Sequence, residues 1–317
     1  MRLTCIYGPH QSSCHGLSLG LDPLLPPKRC PLDCALCPLS TPPKFARPLA
    51  ACRLEDELSE NSQALEAVQA LYVWGSGDPL SSPALEEALA KAREALEGLA
   101  RRPRLVLRTP MLLAGRLSGQ LAGELDEVVV PLFGGVLEWS SMHRPPRGFD
   151  QALYRAALKK WNSEHGKLKF KVVLARTTGG GNYDDESLRD LVAFVRGIAE
   201  EIYLDTINRP VADRGARPVS QGVLKRAAEL FESEGIRARI CQPQRAPVRL
   251  RLTRLEERLW NHALRKPIST EEVMEIYGDM GPLALNNLRE RGLVEQRPWE
   301  GKLFFFSLPA PRAPRQV

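Results

Sequence analysis

Short apolar runs alternate with amphipathic stretches along most of this chain. Apolar runs that predict buried strands cover residues 17–22, 71–77, 104–110, 127–133, 169–176 and 201–207, with 237–241 as a further candidate. Between them, stretches such as 83–100 and 185–200 repeat apolar residues every three or four positions, as surface helices do. Alternation of strand and helix predicts an α/β fold with a parallel sheet.

The pattern changes close to residue 244. Residues 242–254 hold two prolines and four arginines without an acid, which indicates a linker, assigned to 244–254. Residues 255–308 predict three helices and a β-hairpin, the order of a winged-helix domain. Within this domain we predict a helix N-cap at Ser269 or Thr270, the end of a helix at Gly292 and a hairpin turn at Glu300-Gly301. Residues 1–243 then form the main domain, and 309–317 a disordered tail.

Charge and hydropathy bear on whether the protein binds nucleic acid, crosses a membrane or is secreted. The formal net charge of +6 and the pI of about 9.0 permit nucleic-acid binding without requiring it. No apolar run reaches the roughly 18 residues of a membrane span, so we expect no membrane partner. The first residues lack the apolar core of a signal peptide, which favours a cytoplasmic protein.

The cysteines point to metal chemistry. Six of the seven lie within the first 52 residues, and in a cytoplasmic chain such clustering favours thiolate ligands over disulfides. Cys30, Cys34 and Cys37 follow the first predicted strand, at the end of a β/α unit where active sites lie. Three thiolates hold a [4Fe–4S] cluster with one iron open to another ligand. The alternative is a closed zinc site, which needs a fourth ligand, from Cys5, Cys14, His15 or Cys52.

The spacing Cys30-x3-Cys34-x2-Cys37 resembles the hallmark of the radical S-adenosylmethionine superfamily. The resemblance implies a partial (β/α)6 barrel, with S-adenosylmethionine bound through its amino and carboxylate groups to the open iron of the cluster. It implies reductive cleavage of that cofactor to methionine and a 5′-deoxyadenosyl radical, which abstracts hydrogen from a substrate. Leu36 stands where the family usually has an aromatic residue near the adenine, so an apolar contact is kept without ring stacking.

Other segments extend the resemblance. Gly75-Ser76-Gly77-Asp78-Pro79 is similar to the family segment that contacts the methionine amino group, with Asp78 in place of the usual Glu. An ordinary glycine turn after a strand is the alternative for this segment, and a flexible loop is the alternative for 179–182. The cofactor-binding residues that the resemblance implies are Leu36, Gly75, Ser76, Gly77, Asp78, Thr109 and Asn182.

Tyr7-Gly8-Pro9 and residues 17–20 resemble the branch that includes the wyosine-synthesising enzymes of tRNA. Those enzymes carry a second cluster on three upstream cysteines, whereas this chain has only Cys5 and Cys14 upstream and Cys52 downstream. A second cluster on these three is a hypothesis, and buried thiols are the alternative. Cys241 is expected in the core.

Several polar residues remain as candidates for substrate contact. They are the histidines His10, His15 and His143, the arginines Arg144, Arg147 and Arg209 for an anionic group, and the strand-end residues Asp205 and Asn208. Structural histidines and solvated charges are the alternatives. The substrate is expected to be tRNA or another RNA, or else a protein side chain or cofactor precursor. The electron donor would be a ferredoxin or flavodoxin. A zinc-stapled nucleic-acid-binding regulator is the non-enzymatic alternative, with Asn286, Asn287, Arg289 and Arg291 on its recognition helix.

Overall fold

A curled sheet of mostly parallel strands forms the centre of the molecule. The computed structural model describes residues 1–26, 28–39, 53–242 and 253–308. The strands of this sheet are β1 (Ile6–Ser12), β2 (Gly16–Leu21), β3 (Ala70–Val73), β4 (Arg104–Arg108), β5 (Glu127–Leu132), β6 (Leu168–Thr177), β7 (Gly180–Gly181), β8 (Glu201–Thr206), β9 (Arg217–Pro218) and β10 (Arg237–Ile240).

The strand order is β1-β2-β3-β4-β5-β6-β8-β10, and the two-residue strands β7 and β9 pair with β6. All neighbours from β2 to β10 are parallel, and only β1 runs antiparallel to β2. The six predicted parallel strands and the further candidate at β10 are therefore confirmed. β1 was not predicted, because its sequence IYGPHQS contains a glycine and a proline and lacks the alternation of a strand.

Helices cover the outer face of the sheet. They are α1 (Leu54–Glu60), α2 (Ser62–Ala67), α3 (Leu85–Glu97), α4 (Gly119–Glu124), α5 (Trp139–His143), α6 (Gln151–His165), α7 (Asp185–Val195) and α8 (Gln221–Ser233). The stripe on α3 that includes Leu89 and Leu96 joins strand residues such as Leu71 and Leu105 in one buried apolar cluster. The helices predicted within 83–100 and 185–200 are confirmed as α3 and α7, with Asp184 capping α7 through Ser187 N.

The turn between β1 and β2 closes the amino-terminal end of the parallel strands. His15 Nε2 lies 3.1 Å from Glu127 Oε1, and Tyr203 donates its hydroxyl hydrogen to Glu127 Oε2 at 3.0 Å. Tyr72 forms a further hydrogen bond with His15 Nδ1. We call this group of His15, Tyr72, Glu127 and Tyr203 the floor. His15 is thus a buried structural group in a satisfied network.

A disulfide joins the two edges of the sheet. Cys14 in the β1–β2 turn is bonded to Cys241 beyond β10, with 4.7 Å between their Cα atoms and 227 residues between them in sequence. The expectation that the cysteines form no disulfide was wrong here, because only the curl of the sheet brings these edges together. Since a disulfide sulfur is not a thiolate ligand, Cys14 is not available for the hypothetical second cluster. Cys52, its third member, lies outside the described residues.

Residues 255–308 form a smaller unit, the C-terminal module. Its elements are α9 (Leu255–Arg265), β11 (Ile268–Ser269), α10 (Thr270–Tyr277), α11 (Met280–Glu290), β12 (Val294–Trp299) and β13 (Lys302–Ser307), with sheet order β11-β13-β12. Ser269 caps α10 by accepting from Glu272 N, Gly292 has a φ of 67°, and Glu300 and Gly301 form the hairpin turn. The predicted helices, stop and hairpin are present. The winged-helix class and the domain limits stay predictions.

The predicted linker lies mostly, and the predicted tail wholly, outside the described residues. Among the helices that the structure describes, none is long and apolar enough to cross a membrane.

A buried ion pair fastens the C-terminal module to the sheet. Arg265 at the end of α9 donates from Nε to Asp22 Oδ2 at 2.7 Å, and neither side chain is exposed. The same guanidinium donates to the carbonyls of Thr4 and Asn261. Asp22, just after β2, also accepts from Ser76 Oγ at 2.7 Å. The module is therefore bonded to the region around the predicted cofactor loop.

We expect Arg265→Met to lower the free energy of unfolding by about 3–5 kcal/mol, because it leaves Asp22 as a buried carboxylate without its ionic partner. Urea unfolding followed by circular dichroism measures this loss. The matched control is Arg291→Met, which removes the more exposed ion pair with Glu256 and should cost less than about 1 kcal/mol. Equal losses in the two variants would contradict the role assigned to Asp22 and Arg265.

Candidate active site

The three predicted cluster ligands lie in one loop at the carboxyl end of the sheet. This cysteine loop, residues 28–39, follows β2 and is tied by backbone hydrogen bonds to two other regions. Ala35 N donates to Met142 O at 2.9 Å, and Ala212 N donates to Cys37 O at 2.8 Å. The loop is thus fixed against α5 and against the segment after β8. The free, partly buried cysteines that it carries are Cys30, Cys34 and Cys37.

A close backbone contact joins the cysteine loop to the glycine segment after β3. Arg29 N donates to Ser76 O at 2.7 Å, and Asp78 N donates to Arg29 O at 2.8 Å. Gly77 has a φ of +141°, and a Cβ at this position would lie 1.9 Å from Arg29 O. Only glycine fits this position without a shift of the backbone. An ordinary glycine turn would not need this contact, so the segment has a specific structural task.

Asp78 presents an unpartnered carboxylate oxygen at this junction. Its Oδ1 accepts from Thr109 Oγ1 at 2.7 Å and from Leu80 N at 3.2 Å. Its Oδ2 is buried and has no hydrogen-bond partner among the described residues. Burial raises the pKa of Asp78 despite these hydrogen bonds. A buried acceptor of this kind fits an ammonium group of a ligand, and Thr109 acts by positioning the carboxylate.

His143 is aimed at one of the cysteines. Phe133 N donates to His143 Nε2 at 3.0 Å, so the ring proton belongs on Nδ1, which lies 3.8 Å from Cys34 Sγ. The ring is stacked against Trp139 and Phe133, with centroid distances of 3.9 and 4.9 Å. Burial lowers the pKa of His143 to about 3, so the imidazole is neutral. The sequence signalled this residue only by its position after a predicted strand.

The thiols lie in a weakly solvated environment. Burial raises the pKa of Cys30 to about 11, to which the nearby Asp78 contributes, and burial also raises the pKa of Cys34. Such thiols become thiolates when a metal binds them. A closed zinc site, the alternative to an iron–sulfur cluster, needs several protein ligands around one ion. Among the described residues no three His, Cys, Asp or Glu side chains, those of the cysteine loop included, are grouped around one point in this way.

The remaining predicted cofactor residues have different surroundings. Leu36 is buried in an apolar cluster with Phe133 and also lines the central cavity. Asn182 is fully buried, and in the described part of the chain its amide bonds to backbone groups alone: it accepts from Ala175 N and donates to Phe133 O and Val173 O. Gly75 lies against Asp22, whose carboxylate an added Cβ would meet at 2.3 Å. Asn182 therefore joins strand ends, and its contact with a cofactor stays a prediction.

A cavity of about 800 Å³, including its open mouth, lies inside the curled sheet between the cysteine loop and the floor. Of the residues predicted to contact substrate, it brings together His10, Asp205, Asn208 and Arg209. The structure adds residues that the sequence did not single out, and the charged ones are Arg108, Lys171 and Lys266. Arg144 and Arg147 are exposed to solvent and are not among the residues that line it.

We expect Gly77→Ala to lower the free energy of unfolding by about 3 kcal/mol, because the new methyl group must displace Arg29 and with it the cysteine loop. Thermal unfolding measures the loss. Gly179→Ala is the control, since an added Cβ there meets no heavy atom within 4 Å. A Gly77→Ala protein as stable as the control would refute the close contact.

The sequence matches no protein-family model, and no curated protein matches it. Several solved structures are similar to it. HydG, a maturase of the [FeFe]-hydrogenase, has a TM-score of 0.50 and 12% identity, over 70% of this chain and 50% of HydG. Spore photoproduct lyase with bound AdoMet and dinucleoside spore photoproduct has a TM-score of 0.46 and 14% identity, over 73% of this chain and 78% of the lyase.

A domain of pyruvate-formate lyase-activating enzyme from Bacteroides vulgatus has a TM-score of 0.38 and 17% identity, over 53% of this chain and 96% of that domain. This chain spans half the length of HydG. The likeness to HydG concerns the fold alone. The curled sheet of this protein is a partial (β/α) barrel.

Proposed function

We propose that this protein is a radical S-adenosylmethionine enzyme whose [4Fe–4S] cluster is held by Cys30, Cys34 and Cys37. The observation that carries the proposal is the junction at Gly77. At this junction an oxygen of Asp78 that has no hydrogen-bond partner among the described residues lies beside the loop of three free cysteines, and Leu36 and Pro38 of that loop line the barrel cavity. A cysteine cluster that only stabilised the fold would not need this oxygen.

In this proposal, different residues of the site bind the cluster and S-adenosylmethionine. When bound, the reduced cluster supplies the electron that cleaves S-adenosylmethionine to methionine and the radical that takes hydrogen from a substrate. Asp78 accepts a hydrogen bond from the methionine amino group, and Thr109 holds the carboxylate in place. Leu36 offers an apolar surface to the adenine. The walls of the cavity keep water from the reacting groups.

The substrate class is a separate proposal. The notion of an RNA substrate is supported by the basic charge and by the resemblance to the wyosine branch. A protein side chain or a cofactor precursor is the second version, with the C-terminal module as a docking or closing element. The firm attachment of that module through Arg265 favours a part in the barrel over an independent nucleic-acid domain. We further propose that the protein is cytoplasmic and that a ferredoxin or flavodoxin donates its electron.

We expect the anaerobically reconstituted protein to bind about four irons and to form 5′-deoxyadenosine when dithionite and S-adenosylmethionine are added. Both should vanish when Cys30, Cys34 and Cys37 are changed to Ala, because these thiolates are the proposed ligands. Iron analysis, absorption near 400 nm and mass spectrometry are the measurements.

The matched control is the double variant Cys14→Ala/Cys241→Ala, which removes the two cysteines of the disulfide outside the cysteine loop. It should keep its iron. A colourless protein that holds a single zinc and leaves S-adenosylmethionine intact would refute the proposal in favour of a zinc-binding regulator.

We expect His143→Phe to lower the midpoint potential of the cluster by about 40 mV, the equivalent of one hydrogen bond of about 1 kcal/mol. The N–H of His143 points at Cys34 Sγ and so stabilises the more negative, reduced cluster. A redox titration followed by electron paramagnetic resonance measures the shift.

The control for this experiment is His165→Phe, which replaces a histidine that stacks on Trp161, outside the cysteine loop. Its potential should equal that of the parent protein. An unchanged potential in His143→Phe would show that His143 only fills space.

A further inference from the structure

The cavity inside the barrel contains more positive than negative charge. Among the described residues, four cationic side chains line it: Arg108, Lys171, Arg209 and Lys266. Two of them have an acidic partner. Lys171 Nζ lies 2.7 Å from Asp205 Oδ2, and Arg209 lies 3.4 Å from Glu272 Oε2. Two acids against four cations leave a formal excess of two positive charges.

The other two cations, Arg108 and Lys266, form no ion pair among the described residues, although the charge of Glu272 acts on Lys266. Arg108 lies 4.5 Å above the ring of Trp74, and its buried Nε has no hydrogen-bond partner among those residues. Lys266 donates to the carbonyl of Gln11 at 3.1 Å. His10 lies among these groups, and its buried Nδ1 has no partner either. Buried donors without acceptors indicate a place for a ligand.

The energetics favour an anion at this place. Burial and the positive charge of Arg209 lower the pKa of Lys266 well below its usual value. Burial lowers the pKa of Lys171 as well, although Asp205 opposes this. A bound anion would offset the repulsion among the cations and keep both ammonium groups charged. The guanidinium of Arg108 offers several donors in one plane, a shape that suits phosphate oxygens.

The four cations lie at two levels of the barrel. Ser13, in the turn that closes the barrel, accepts from Lys171 at 3.1 Å and donates to Asp205 at 2.5 Å. Lys266 comes from the C-terminal module, which packs against β1. Lys171 and Lys266 therefore lie near the turn that closes the barrel. Arg108 ends β4 and Arg209 follows β8, at the same carboxyl end of the strands as Asp78 and the cysteine loop.

We propose that the cavity binds the doubly charged anionic group of a small-molecule substrate, a phosphate monoester above all, between Arg108 and Lys266. The proposal rests on the proposed function only for the use of this substrate, since binding itself needs no cluster. The C-terminal module thereby supplies a substrate-binding residue. Lys171 and Arg209, which are already paired, position the anion by their charge.

The test uses the full chain purified without iron, titrated with inorganic phosphate and with glycerol phosphate at constant ionic strength. Calorimetry and the fluorescence of Trp74 follow binding. We expect saturable binding with one site, weakened at least tenfold in Lys266→Gln and in Arg108→Gln. Lys266→Arg, which keeps the charge, should bind within a few fold of the parent protein. Lys160→Gln, a change of an exposed lysine on α6, should bind like the parent protein.

Absence of saturable binding, or equal binding by the parent protein and both Gln variants with native circular dichroism, would overturn the proposal. Displacement of phosphate by S-adenosylmethionine in the reconstituted protein would also overturn it, because the cations would then belong to the carboxylate of the cofactor. Binding of a 5′-phosphorylated RNA without binding of the free phosphate compounds would point to RNA instead. Phosphate binding in a protein that never cleaves S-adenosylmethionine would refute the proposed function alone.

Discussion

The structure depends on one buried carboxylate, Asp22. It lies where β2 ends and the chain turns towards the cysteine loop, and it binds Arg265 of the C-terminal module, Ser76 of the glycine segment and the backbone of Leu24 and Leu25. Burying a carboxylate destabilises the fold unless cations and hydrogen-bond donors surround it. The fold therefore needs these partners around Asp22. The Asp22 side chain thereby fixes the positions of the cysteine loop, the glycine segment and the C-terminal module relative to one another.

Inside the barrel, charge has a different role. At the floor, Glu127 is matched by His15, Tyr203 and Arg104, so that its pKa stays low despite burial. Closer to the cavity the charges are less evenly matched, because neither Arg108 nor Lys266 forms an ion pair with an acid in the part of the chain that the structure describes. Natural proteins rarely leave buried cations unmatched where only stability is at stake. The contrast between a satisfied floor and an unsatisfied cavity separates the part that supports the fold from the part that meets a ligand.

The sequence predicted the parallel strands, the main helices and the hairpin turn at Glu300-Gly301, because each depends on local periodicity or on residues with positive φ. It also predicted the cysteine loop, whose signal is a short spacing. It could not predict contacts between distant segments. The Cys14–Cys241 bond, the entry of Lys266 into the barrel and the approach of His143 to Cys34 all depend on how the sheet curls and where the module docks. β1 was missed since its Gly8 and Pro9 resemble a loop.

The closed floor has a consequence for kinetics. The β1–β2 turn, the Tyr72–His15–Glu127 group and the disulfide lie at one end of the strands, and the cysteine loop lies at the other. If a substrate enters beside the cysteine loop and reaches towards the floor, it passes the proposed cofactor site. For the proposed reaction, this arrangement predicts a compulsory order of binding and release. The substrate binds before S-adenosylmethionine, and its product leaves after methionine and 5′-deoxyadenosine. The reactive species would form only above an occupied cavity, which protects the protein from its own chemistry.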